Sequence, residues 1–161
     1  MERREIIITA RTAAPREVVY QLLAEGRSWP RWSPLDEVTL ERAGEYSLEG
    51  VGAIRVNRRG RTVGRDQILK NVPNESFSYA TISGVPVREY VGQVQLQDAP
   101  GGGTTVTWHS SFRPKFRGTG WLLERALRRF LEHCTQGLAD YAARVGDSRA
   151  VGAGKGGDGR C

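Results

Sequence analysis

Apolar positions along this chain recur with two different periods, and the changes between them divide it into elements. Glu5 to Arg11 holds the β-branched run Ile6-Ile7-Ile8-Thr9 and predicts a first strand. Thr12-Ala13-Ala14-Pro15 then reads as a helix entry, with proline where its missing N–H costs nothing. Val18, Val19, Leu22 and Leu23 follow at three-to-four-residue spacing, which predicts a short amphipathic helix ended by Gly26. The two prolines of Trp29-Pro30-Arg31-Trp32-Ser33-Pro34 limit the next segment to a turn or one helical turn. From there the period falls to two. Strands are predicted at Glu37 to Arg42, Gly50 to Val56, Thr62 to Asn71, Ser76 to Ser83, Arg88 to Gln97 and Thr104 to Phe112, with glycine or proline turns between them. In the last two, Tyr90, Val94 and Leu96, then Val106, Trp108 and Phe112, alternate with polar residues. Such alternation predicts an antiparallel sheet with one wet and one covered face.

The final element supplies the cover. From Gly120 to about Val145 the residues Leu123, Leu127, Phe130, Cys134, Leu138, Tyr141 and Val145 form an apolar stripe at helical spacing. About 25 residues of helix run to roughly 37 Å, enough to cross the sheet. Gly137 within it costs up to about 1 kcal/mol against alanine and suggests a bend or a close approach to the sheet. The expected fold class is therefore α+β: a curved seven-stranded antiparallel sheet wrapped around a long C-terminal helix, with two short helices after the first strand. A sheet gripping one helix tends to leave a concavity between them. Residues 1–145 form the expected ligand-binding domain, and residues 146–161, rich in glycine, the expected disordered tail.

These elements resemble the START-like (SRPBCC, helix-grip) superfamily, specifically its polyketide cyclase/dehydrase-like branch. The resemblance is carried by Ala14-Pro15-Arg16-Glu17-Val18-Val19, Trp29-Pro30-Arg31-Trp32-Ser33-Pro34, Gly50-Val51-Gly52-Ala53-Ile54-Arg55, Ser83-Gly84-Val85-Pro86-Val87-Arg88-Glu89-Tyr90 and Gly103-Thr104-Thr105-Val106-Thr107-Trp108. It covers about residues 3 to 145. It implies the helix-grip fold and a hydrophobic-ligand cavity, and it leaves function open among cyclases, lipid carriers and receptors.

The residues expected to face the helix are the candidate ligand contacts. Phe77, Tyr79, Tyr90, Val94, Trp108 and Phe112 would form the wall, Leu127 and Phe130 the helix side, and Trp29 and Trp32 the mouth. Most single members of such a set are core residues. Tyr79 and Tyr90 stand out, because a buried phenol needs a hydrogen-bond partner that a ligand oxygen can supply. Arg55 and Asp66 fall on neighbouring predicted strands: facing inward they would pair or bracket a polar ligand group, facing outward they would be an ordinary surface pair. The outward reading is preferred for Arg55, and Asp66 is left open.

Other chemistry is thinly represented. His133 and Cys134 are adjacent helical positions, about 100° apart, and do not form a nucleophile pair. His109 is expected on the wet face, and two histidines without a carboxylate cluster make no metal site. No phosphate loop, nucleophile elbow or dinucleotide fingerprint is present, so no cofactor is expected.

The net charge of +6 comes mainly from arginine, but the basic stretches are interleaved with Asp and Glu and lack any nucleic-acid-binding motif, so they read as a solvated face. No apolar run is long enough to span a bilayer, the N-terminus lacks the features of a secretory signal, and Cys134 and Cys161 make no disulfide framework, so membrane insertion is not expected and a cytoplasmic location is.

The leading expectation is binding of a small hydrophobic ligand, whether aromatic, polyketide or lipid-like. The alternative is a polyketide cyclase or dehydratase using Tyr79, Tyr90 or Asp66 for proton transfer on a free or carrier-bound chain. In that alternative an acidic carrier protein would dock on the basic surface. A regulatory or stress-response role is a third reading.

Overall fold

The computed structural model describes residues 2–153. Strand β1 (Arg4–Thr12) leads into helix α1 (Arg16–Ala24) and a 3-10 helix at Gly26–Arg31. Six strands follow: β2 (Glu37–Arg42), β3 (Ile54–Arg59), β4 (Thr62–Val72), β5 (Ser76–Ser83), β6 (Val87–Asp98) and β7 (Thr104–Pro114). Helix α2 (Gly120–Ala153) ends the described chain. The strands form one antiparallel sheet in the order β1-β7-β6-β5-β4-β3-β2. The two strands farthest apart in sequence within the run, β1 and β7, thus pair at one edge, and hairpins account for the rest.

The chain belongs to the expected fold class, with the period-two strands where they were anticipated to within a few residues. One side of β7 is buried at every second position from Thr104 to Pro114, as alternation demands. Its Val106, Trp108 and Phe112 join Ile6, Val94, Leu131 and Leu138 in a core between the sheet and α2. Val18, Val19, Leu22 and Leu23 turn the apolar face of α1 into the same core.

Two boundaries and one contact differ from the expectation. The predicted strand at Gly50 to Val56 begins only at Ile54, because residues 43–53 form a loop closed by its own backbone bonds, Glu45 N–H to Val51 O and Ala53 N–H to Gly50 O, with Gly52 at φ +87°. Helix α2 continues past Val145 to Ala153, so residues 146–153 of the expected disordered tail are helical. Val145 is half-buried against the core, Gly146 lies near Ala14 and Pro15, and the Arg149 side chain donates to Gln21 Oε1 at 2.9 Å, ties to the α1 region that extend the helix. The remainder of that tail, 154–161, lies outside the described residues. Gly137 makes a close approach: a Cβ there would collide with the backbone carbonyl oxygen of Trp32, so α2 lies against the end of the 3-10 helix. That contact is with the connecting segment and not with the sheet.

Candidate functional site

Between the concave sheet and the N-terminal half of α2 lies a cavity of about 300 Å³. Its polar wall comes from three adjacent strands whose inward positions fall in register. Arg55 pairs with Asp66 across β3 and β4, and Asp66 with Thr81 across β4 and β5. A register shift between Arg65 and Asp66 sets the second pairing, a bulge that re-aims the side chains beside it. Asn57 and Thr81 both donate to the Asp66 carboxylate, from Nδ2 at 2.5 Å and Oγ1 at 2.7 Å. Burial nevertheless outweighs these bonds and the nearby Arg55 charge, and raises the Asp66 pKa from 3.8 to about 6.

Tyr79 and Tyr90 stand beside this wall, with ring centroids 6.1 Å apart. Gly92 makes room for Tyr79: a Cβ at that position would overlap the phenol ring. Tyr79 Oη accepts the indole N–H of Trp108 at 3.3 Å. Tyr90 is turned inward at a bulge between Arg88 and Val91, where Glu89 adopts φ +51°, and its hydroxyl shares a hydrogen bond with Ser110 Oγ at 2.9 Å. Desolvation pushes the Tyr90 phenol up to about 12 and the Tyr79 phenol well above its usual value. Both therefore stay protonated at neutral pH and act as hydrogen-bonding groups, leaving Asp66 as the one acid of the three suited to taking up a proton.

Of the sequence-derived contacts, Trp29, Tyr79, Tyr90, Leu127 and Phe130 line this cavity, and Phe77 lines a small chamber behind it together with Trp29, Arg55 and Asp66. Trp32, Val94, Trp108 and Phe112 do not line it; they are packed in the core, where their size fills the space between sheet and helix. Trp29 and Trp32 are not at the mouth. The 3-10 helix turns both inward, with rings 4.7 Å apart, and Trp29 rests edge-on against Tyr79 and Trp108. The indole N–H groups of Trp29 and Trp32 are satisfied by Leu23 O and Ser28 Oγ, which makes their burial tolerable.

Arg55 corrects the outward expectation. It is 4% exposed, and its guanidinium donates to Leu23 O and Ala24 O at the C-terminus of α1 and pairs with Glu49 at 2.7 Å. The rings of Trp29 and Phe77 lie 5.7 and 5.1 Å from its Cζ. A buried cation needs such partners, and the helix end supplies carbonyls that have none within the helix. Cys134 is a buried core thiol, with its pKa raised by desolvation, and His133 is exposed. His109 is partly exposed, 3.7 Å from Glu5. No cluster of metal-binding side chains occurs among the described residues.

Sequence reasoning missed Asn57 and Thr81, the two donors to Asp66. Period two would have found them, since they stand two residues from Arg55 and Tyr79 on the same face, but short polar side chains in strands read as the wet side. It also missed the mouth, formed by Leu35, Arg59, the Val85-Pro86-Val87 turn and Ala126. Turn residues carry no periodic signal.

Solved structures share this architecture. An aromatase/cyclase, Zhui, from Streptomyces sp. R1128 superposes with a TM-score of 0.77 at 17% identity, covering 94% of this chain and 99% of its own. A START superfamily protein from Mycobacterium smegmatis gives 0.75 at 12% identity, over 88% and 98% of the two chains. A major latex-like protein from Panax ginseng gives 0.66 at 15% identity, over 87% and 97%. At these identities the likeness is one of fold. No curated protein sequence matches the chain significantly. A family model does, along residues 5–145, and the chain belongs to the family it describes, polyketide cyclase / dehydrase and lipid transport.

Proposed function

We propose that this protein binds a small hydrophobic ligand, aromatic, polyketide or lipid-like, in the cavity between sheet and α2. The observation that carries the reading is the cavity itself: apolar on the α2 side through Leu123, Leu127 and Phe130, and polar at one wall through Asp66, Asn57 and Thr81. A mostly apolar cavity, open on one side, with a few convergent polar groups suits a ligand with one oxygenated end. The family supports the same class of ligand. The test is a flat aromatic probe, 1-anilinonaphthalene-8-sulfonate. Wild-type protein is expected to bind it with blue-shifted emission. Ala126→Trp, which plugs an exposed position of the lining, is expected to weaken binding at least about tenfold with the melting temperature within a few degrees of wild type. Equal binding by both proteins refutes the assignment of the ligand to this cavity.

The second reading, a cyclase or dehydratase, is favoured by Asp66. A carboxylate raised to about 6 inside a cavity is poised to remove a proton next to a carbonyl, and Tyr79 and Tyr90 stand near enough to donate to the oxygen that gains charge. The cavity would supply the folded geometry that selects one ring closure. An acidic carrier protein delivering the chain to the basic surface belongs to this reading, as does the cytoplasmic location. With a linear poly-β-ketone substrate, Asp66→Asn is expected to lower turnover about a hundredfold or more while the aromatic probe still binds. Unchanged turnover, or product ratios equal to those of the spontaneous reaction, removes Asp66 from catalysis.

A further inference from the structure

The mouth of the cavity opens beside a surface that the ligand-binding reading does not use. Residues 115–119 join β7 to α2, and the Lys115 N–H bonds to Pro86 O at 3.1 Å, tying this loop to the β5–β6 turn that forms one lip. Phe116 and Trp121 flank a shallow groove. Their exposures are 56% and 63%, and that of the adjacent Leu122 is 56%. Trp121 and Leu122 precede Leu123, which lines the cavity, in the first turn of α2. Three large apolar side chains therefore project into solvent at the entrance, where folding has given them nothing to cover.

Charge surrounds them. Between positions 115 and 129 the chain carries Lys115, Arg117, Arg125, Arg128 and Arg129 against one carboxylate, Glu124, which is engaged by Arg4 at 2.5 Å and Arg128 at 3.8 Å. Glu2 also borders the groove. Lys115 stands over the Phe116 ring at 5.7 Å, and Arg117, Arg125 and Arg129 make no ion pair among the described residues. On the opposite lip Arg59 lines the cavity, and Arg61 is exposed beyond it.

We propose that this face adsorbs to an anionic lipid bilayer, with Phe116, Trp121 and Leu122 entering the headgroup boundary and the unpaired arginines contacting lipid phosphates. Aromatic rings flanked by long cationic side chains match that boundary, where the apolar bodies leave water and the charged heads stay at phosphate level. Attraction to anionic lipid grows with each basic side chain near the surface. The groove between Phe116 and Trp121 is bounded mainly by carbon and has basic side chains at its rim, so it meets a headgroup boundary with both apolar surface and positive charge. Adsorption here would set the mouth against the bilayer, so that an apolar ligand passes between membrane and cavity without crossing water. The passage of ligand rests on the cavity reading; adsorption itself does not.

The test is sedimentation with vesicles of phosphatidylcholine, alone or mixed with phosphatidylglycerol, read alongside tryptophan emission. Trp32 and Trp108 are packed in the core and Trp29 faces only the cavity, so the part of the quenching by brominated lipid that Trp121→Phe removes reports on Trp121 at the surface. Expected are binding to the mixed vesicles only, quenching that Trp121→Phe largely removes, and affinity reduced at least about tenfold by Phe116→Ser with Leu122→Ser, by Arg117→Glu with Arg125→Glu, or by high salt. Unchanged circular dichroism and melting temperature show that the variants remain folded, and probe binding in the cavity is measured on the same proteins. The probe separates the two ideas, since vesicle binding without probe binding leaves adsorption standing and the cavity reading fallen. Absence of vesicle binding overturns the proposal. So does binding without quenching, or self-association or capture of an acidic carrier protein through these residues in place of lipid.

Discussion

Asp66 sits where its neutral form is favoured, and that has a consequence for stability with a definite sign. Its folded pKa of about 6 lies above the ordinary 3.8, so between those values the folded state holds more proton than the unfolded chain. Stability contributed by this residue is therefore greatest in acid, falls as pH rises through that window, and is flat above about 6. A displacement of this size is worth about 3 kcal/mol at most, and the open side of the cavity reduces it. Asp66→Asn removes the buried charge while keeping an oxygen to accept from Asn57 or Thr81. It is expected to be more stable than wild type by about 1–3 kcal/mol at pH 7, with the gain vanishing near pH 4. Urea unfolding across that range checks this, and a gain independent of pH would mean that charge burial is not its source. The site was partly legible from sequence at this scale. Tyr79 and Tyr90 were visible because buried phenols are chemically conspicuous, and Asp66 because it fell on a predicted strand beside the one carrying Arg55, although Arg65 and Gln67 on either side gave no sign of which way it faced. The inward Arg55 was not, because what makes its burial tolerable is the carbonyl pair at the end of α1 and the Glu49 carboxylate, both remote along the chain.

Elements were more legible than residues, for a physical reason. A strand or helix declares itself through a repeating pattern, and β7 buries alternate residues along its whole length. Where pattern gives way to irregularity, the register moves: the shift between Arg65 and Asp66 sets the pairing of Asp66 with Thr81 and leaves no periodic trace, whereas Tyr90, beside the shift between Arg88 and Val91, stays in phase with Gly92, Val94 and Leu96. Gly137 is intermediate. Its presence inside a helical stripe marked a special contact, but the identity of that contact, the carbonyl of Trp32, comes from packing. Helix propensity alone says that Gly137→Ala stabilises by up to about 1 kcal/mol. Sterics say the reverse, because the obstructing atom is backbone and cannot rotate away. The expected outcome is a net loss of about 2 kcal/mol, since α2 must lift from the 3-10 helix that carries Trp29 and Trp32. Thermal unfolding measures the loss, and a stabilised variant would show that the two elements part easily.

At the scale of the whole molecule, the order of elements determined the architecture, and the cavity followed from it without any single residue announcing it. A long helix cannot fill a strongly curved sheet along its whole length; at the N-terminal half of α2 the space is left open, while Leu131, Cys134 and Leu138 close it farther along. The core responsible for stability and the cavity open to ligand are therefore neighbouring parts of one interface. Trp29 belongs to both, packed on Trp32 and Trp108 and exposed to the cavity. A ligand that fills the open part binds the folded state and not the unfolded chain, so it must raise stability by mass action. At a hundred times its dissociation constant the gain is about 2.7 kcal/mol, or roughly 5–10 °C in melting temperature for a chain of this size. A series of aromatic and acyl ligands is expected to rank by melting shift in the order of their affinities, and Ala126→Trp to cut the shift to about half or less for all of them. Ligands that bind wild type without raising its melting temperature would have to associate equally with the unfolded chain, which a preformed cavity does not permit.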